Sequence, residues 1–144
     1  MIKISNKSSD FSIYSCQPTT KNELINIIDD RISKEGPKCN LNDINVSLID
    51  DMSYLFAHSK FNGDIFKWNT SNVKSMGCMF YDSKFNGDIS EWDVYKVENI
   101  GWMFYNSNFN QDISKWKIKD NCDIRHIFYS CPIRDEYKPK ALQK

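Results

Sequence analysis

Apolar residues recur along this chain at a fixed interval of 24 positions. Shifted by that interval, Met52, Met76, Ile100 and Ile124 coincide without a gap, and so do Phe56, Phe80, Phe104 and Phe128. Phe61, Phe85, Phe109 and Ile133 form another column, followed by Ile65, Ile89 and Ile113, and by Trp68, Trp92 and Trp116. Asn62, Asn86 and Asn110, with Asp64, Asp88 and Asp112, keep the same register. About eleven of 24 positions are identical between neighbouring full units. Self-similarity at such a period is the mark of stacked repeats, each burying an apolar face on the next.

The register extends outward into Leu41, Ile44, Val46 and Ile49 and runs on through Ile124, Phe128 and Cys131, giving three full repeats with flanking half repeats. Within a unit, Ile89, Trp92 and Val94 have the L-x-x-L-x-L spacing of a leucine-rich repeat. Alternation at Trp92 and Val94 predicts a short strand with both side chains inward. Strands are expected near residues 41–46, 65–70, 89–94 and 113–118. Asn-Gly-Asp at 62–64 and 86–88, and Asn-Gln-Asp at 110–112, are turn chemistry. Their carboxylates and amides serve turn backbone rather than calcium, because no unit carries the ligand set of a calcium loop.

Ahead of the repeats, residues 20–35 read as a helix with Thr20 and Glu23 spaced as a capping box. Leu24, Ile27, Ile28 and Ile32 give it one apolar stripe, and Gly36 and Pro37 end it. Residues 2–5 and 11–15 alternate weakly, as in a small hairpin. The expected fold class is an α/β repeat solenoid: a short right-handed leucine-rich-repeat-like coil with one parallel strand per repeat and an N-terminal capping helix. Its divisions are an N-terminal segment with the helix at 1–38, the solenoid at 39–134, and a polar tail at 135–144 that frays.

The run Met76-Gly77-Cys78-Met79-Phe80-Tyr81, then Phe85-Asn86-Gly87-Asp88-Ile89-Ser90-Glu91-Trp92, resembles the BspA-type leucine-rich repeat. The resemblance covers about residues 39–131. Glu23-Leu24-Ile25 and Leu41-Asn42-Asp43-Ile44 are similar to the helical cap that opens such arrays. That family implies a curved solenoid that binds proteins, and it carries no catalytic residues to transfer.

Charge removes one class of partner. Nineteen basic and 19 acidic residues leave no net charge, so nothing favours a phosphate backbone and no nucleic acid is expected. No segment is apolar enough to span a membrane, and Met1-Ile2-Lys3-Ile4 does not open a signal peptide. As written, the chain is expected in the cytoplasm; the alternative is the cell surface or the exterior, after removal of a signal. Cys16, Cys39, Cys78, Cys122 and Cys131 are odd in number and form no C-x-x-C pair, which fits free thiols.

His58 and His126 lie at different repeat phases, outside any metal-binding spacing. Cys78 falls in a column with Tyr54, Trp102 and His126, read as packing rather than a Cys–His dyad. The tryptophan column is read as core, not a platform for sugars or bases. No catalytic residue, metal or cofactor is therefore expected.

The chain reads as a non-enzymatic protein-binding module, for example an intracellular inhibitor of a host or defence protein. The alternatives are a surface adhesin fragment and, more weakly, a metal-dependent enzyme. The expected binding face is the outward strand surface, with Phe66, Lys67 and Asn69, then Glu91, Asp93 and Tyr95, then Lys115, Lys117 and Lys119. Phe66 and Tyr95 are its aromatic anchors. The alternative to that face is the loop edge holding Ala57-His58, Tyr81-Asp82 and Tyr105-Asn106.

Overall fold

A computed structural model describes residues 13–144. Residues 2–5 and 11–12 of the hairpin expectation lie outside the described residues. One α-helix, α1 (Lys21–Glu35), opens the described fold. Thr20 is its N-cap, the hydroxyl accepting from the Glu23 N–H at 3.2 Å. The Glu23 carboxylate reaches back one residue further than a capping box requires, to the Thr19 N–H at 2.7 Å. Gly36 ends the helix at φ 92°, a conformation that favours glycine, and its N–H donates to the Ile32 carbonyl.

Leu24 and Ile28 of α1 are buried in the shared core. Arg31 ties the helix to the first unit: its guanidinium contacts both Asp43 carboxylate oxygens at 3.0 Å and the Asn40 carbonyl at 2.8 Å. Ser15 donates to the same Asp43 carboxylate.

The repeats stack in the expected register, but not through strands. Among the described residues there is no strand and no sheet, only isolated parallel bridges, so the α/β solenoid with one strand per repeat is not what forms. Where strands were expected, the backbone turns. Ile44, Trp68, Trp92 and Trp116 N–H groups donate to the carbonyls of Leu41, Ile65, Ile89 and Ile113, three residues back. The cause lies in the polar residues flanking each short alternation. Asp64, Asp88 and Asp112 accept from the N–H two residues on, at 2.9–3.0 Å. Asn45, Asn69 and Asp93 do the same at 3.0 Å. Side chains that bond their own backbone so locally close turns in place of an extended ladder.

Interstrand-like bonding occurs elsewhere in the unit. N–H groups of Met52, Tyr54, Phe56 and His58 donate to carbonyls of Ser75, Gly77, Met79 and Tyr81. The pattern repeats from Met76, Cys78, Phe80 and Asp82 to Asn99, Gly101, Met103 and Tyr105, and again one unit later. Alternate residues thus bond the next unit, while those between close turns with their own. The bridges Asp51–Ser75, Ser75–Asn99 and Asn99–Asp123 begin this ladder.

The core is a set of columns. Phe56, Phe80 and Phe104 stack at 5.6 Å between ring centroids, and Phe61, Phe85 and Phe109 at 6.0 and 6.3 Å. Trp68, Trp92 and Trp116 are buried, and each indole N–H donates to a carbonyl of the preceding unit, Leu41, Ile65 and Ile89. Their polar atom is satisfied inside the stack, which settles them as core. Gly63 is required by crowding, since a Cβ there would lie 1.9 Å from the Cys39 carbonyl oxygen.

The tail does not fray. Short 3₁₀ turns at Asp135–Tyr137 and Lys140–Leu142 fold it back on the last unit. Ile113 N–H donates to the Tyr137 carbonyl at 2.9 Å, and Tyr137 and Leu142 pack on the core. Tyr137 and Leu142, with the buried Pro139, are the apolar side chains that hold it down.

Candidate functional site

Of the residues expected to bind, Lys67, Asn69, Glu91, Asp93, Tyr95, Lys115 and Lys117 are exposed, while Phe66 and Lys119 are half-buried. They follow the turns at 64–66, 69–71, 88–90, 93–95 and 112–114 rather than a strand face. Two of them are engaged in holding the backbone. Asn69 accepts from Ser71, and Asp93 accepts from the Tyr95 N–H through its carboxylate and from Thr70 Oγ1 through its carbonyl. Lys119 lies 3.9 Å from Glu98. Tyr95 remains a free aromatic at 59% exposure.

The densest cluster of accessible rings lies on the loop edge instead, along the inter-unit ladder. Each unit there carries two residues with left-handed backbone. The first column is Tyr54, Cys78, Trp102 and His126, at φ 53–61°. The second is His58, Asp82, Asn106 and Ser130, at φ 52–59°. Left-handed geometry recurring every 24 residues turns these side chains out at the same place in each unit. Between the two columns stand Tyr81, Tyr105 and Tyr129, stacked at 4.9 and 5.4 Å. Trp102 adjoins Tyr105 at 5.0 Å and His126 at 4.4 Å, and His58 meets Tyr81 edge-on at 5.5 Å. Polar groups line the same edge: Asp82 accepts from Asn106 at 3.0 Å and pairs with His58 Nδ1 at 2.8 Å.

Asp82 and Asn106 were the sequence signal for this geometry, since Asp and Asn are the side chains best tolerated in left-handed backbone. Tyr54 and Trp102 gave none, because bulky residues rarely adopt it.

The remaining candidates form no chemical centre. Cys78 and His126 are separated along their column by Trp102. All five cysteines are free thiols, and burial pushes Cys39, Cys122 and Cys131 above the ordinary thiol value. Among the described residues, no group of three or more His, Cys, Asp or Glu side chains is placed to hold a metal. Asn62, Asn86 and Asn110 bond the backbone of the next unit, at Asn86, Asn110 and Arg134. No described helix is long and apolar enough to cross a membrane.

A family model described as "Mycoplasma protein of unknown function, DUF285" matches residues 30–138. No curated protein and no solved structure matches the chain.

Proposed function

We propose that this chain, which belongs to the DUF285 family of Mycoplasma proteins of unknown function, is a non-enzymatic protein-binding module. Its repeats resemble those of the BspA type, whose arrays bind proteins, and the reading agrees with that resemblance. The observation that carries it is the aromatic edge. His58, Tyr81, Trp102, Tyr105, His126 and Tyr129 form one connected strip of rings along three successive junctions between units.

Tyr and Trp combine apolar area with a polar atom and lose little side-chain entropy on contact, which is why they dominate the energetics of interfaces. Stacking already fixes these rings, so a partner would meet a preorganised surface. Tyr81 and Tyr129 stack on the two faces of Tyr105, which leaves its ring edge and hydroxyl outward, suited to polypeptide groups more than to the flat face of a sugar or base. The row from Glu91 and Asp93 to Lys115 and Lys117 would add charge contacts that set orientation rather than raw affinity.

The test compares folded variants in affinity capture from the source cell. Trp102→Ala with Tyr105→Ala should lose partners that wild-type protein retains, whereas Lys115→Glu with Lys117→Glu should retain them with more salt sensitivity. Equal capture by all three proteins would place binding elsewhere. Adding a captured enzyme's substrate then separates an inhibitor, which silences its partner, from an adhesin, which only attaches.

A further inference from the structure

Among the described residues, the inter-unit ladder ends without a partner. In each earlier unit the alternate N–H groups donate forward, as from Ile100, Trp102, Phe104 and Asn106 to Asp123, Arg125, Ile127 and Tyr129. One period on, the N–H groups of Ile124, His126, Phe128 and Ser130 have no acceptor among the described residues. Packing stops at the same place. Met52, Met76 and Ile100 are buried but Ile124 is 37% exposed, and Phe128 is only partly buried where Phe56, Phe80 and Phe104 are fully so. The folded-back tail covers the other half of this unit, at Asn110 and Ile113, and sets the Lys138 ammonium 5.5 Å from the Phe128 ring centre, but no tail group accepts from the row's N–H groups.

We propose that this open row binds an extended polypeptide segment, which adds one more rung to the ladder. Alternate N–H donors demand alternate carbonyls on one straight backbone, as any unpaired ladder edge does. Side chains set the sequence class. A rung in register would lay one apolar residue over Ile124 and another, four residues on, over Phe128 in place of the Lys138 ammonium, with an aromatic next to it over Tyr129. Residues Ser75 to Asp82 have this pattern in Met76, Phe80 and Tyr81, and their carbonyls accept the corresponding bonds from the first unit.

A second copy of the chain fits less well. Its carbonyls at Asp51, Ser53, Leu55 and Ala57 also lack donors among the described residues and would match in register. But α1 lies over Asn40 and Asp43, whose repeat equivalents Asp112 and Lys115 flank Ile113, where the tail of the first copy is bonded through Tyr137. Coaxial stacking would bring helix and tail into the same space, whereas a segment one backbone thick avoids both.

The inference takes from the functional reading only that the partner is polypeptide; its surface is a different one. The probe is a synthetic peptide with the sequence of residues 75–82 carrying Cys78→Ser, against a scrambled peptide of the same composition with its apolar residues adjacent. Amide hydrogen exchange of the wild-type protein, read residue by residue, should slow at least tenfold at Ile124, His126, Phe128 and Ser130 with the ordered peptide and stay unchanged with the scrambled one. Ile124→Pro removes one donor that has no acceptor among the described residues, and should weaken peptide binding at least tenfold at an unchanged melting temperature. No binding at millimolar peptide, equal binding of the scrambled peptide, or protection confined to the Tyr81–Tyr105 edge would each overturn the proposal. None of these outcomes depends on whether Trp102→Ala with Tyr105→Ala loses its captured partners.

Discussion

Ser130 illustrates how single residues adapt to this repeat. It sits at φ 58° with an exposed side chain. Left-handed backbone costs a non-glycine residue about 1–2 kcal/mol. Glycine escapes that cost but loses more entropy on folding, about 0.5–1 kcal/mol. The two nearly offset, so Ser130→Gly should change stability by less than about 1 kcal/mol, on the stabilising side. Ser130→Val places a β-branched side chain in the same backbone and should cost about 2 kcal/mol. Urea melts of both variants check this. A Val variant as stable as wild type would mean that position 130 is not held left-handed. The equivalent positions His58, Asp82 and Asn106 are a different case, because their side chains bond one another across units.

At the scale of the element, the turn is the unit of construction, and it makes stability depend on acid. The Asn42 side chain and the Phe66 N–H hold Asp64 below its ordinary carboxylate value, and the Ser114 side chain and N–H do so for Asp112. Hydrogen bonds from the Arg125 side chain and N–H lower Asp123 to about 2. A depressed carboxylate stabilises the fold above its unfolded value and loses that contribution as pH falls through its folded value. Stability should therefore be level near neutrality and decline between about pH 4 and pH 2. The double variant Asp64→Asn with Asp112→Asn should keep its turns, since Asn45 and Asn69 already do the same work, and should show a shallower decline. Melts at pH 6 and pH 2.5 decide it; an unchanged slope would show that these carboxylates do not drive the acid response.

The same turns mark where the sequence could be read and where it could not. The helix from Lys21 to Glu35 was legible because Thr20, Glu23, Gly36 and one apolar stripe all agreed. Burial of Trp92 and Val94 was legible because spacing alone places them inward. Backbone conformation was not. An alternation of two inward residues is too short to distinguish a strand from linked turns, and Asp88 and Asp93 on either side decide for turns. The aromatic edge was anticipated as the alternative surface through Ala57-His58, Tyr81-Asp82 and Tyr105-Asn106, but the part played by Trp102 depends on left-handed backbone that bulky side chains do not announce.

For the molecule as a whole, position within a column should set what each ring contributes. Phe80 lies mid-stack, between Phe56 and Phe104 at 5.6 Å each, and it also meets Phe85 at 4.5 Å and Trp92 at 6.4 Å. It is fully buried, and the units on both sides are held in place by their own neighbours, so a cavity there has little room to collapse. Phe80→Ala should cost about 3–5 kcal/mol, the range for deleting a large ring from a packed core. Phe128 ends the same column. It stacks on Phe104 alone, at 5.9 Å, is partly exposed, and has the Lys138 ammonium 5.5 Å from its ring centre. Phe128→Ala removes less buried area and leaves a gap that the tail can close, so it should cost about half as much or less. The two variants carry the same chemical change at equivalent repeat positions, so intrinsic residue preference cancels in the comparison. Denaturant titration of both, with m-values compared, would show whether the stack unfolds as one body. A cost for Phe128→Ala equal to that for Phe80→Ala would mean that the last unit is packed as tightly as the middle ones, and hence that the edge from Ile124 to Ser130 is already covered in solution.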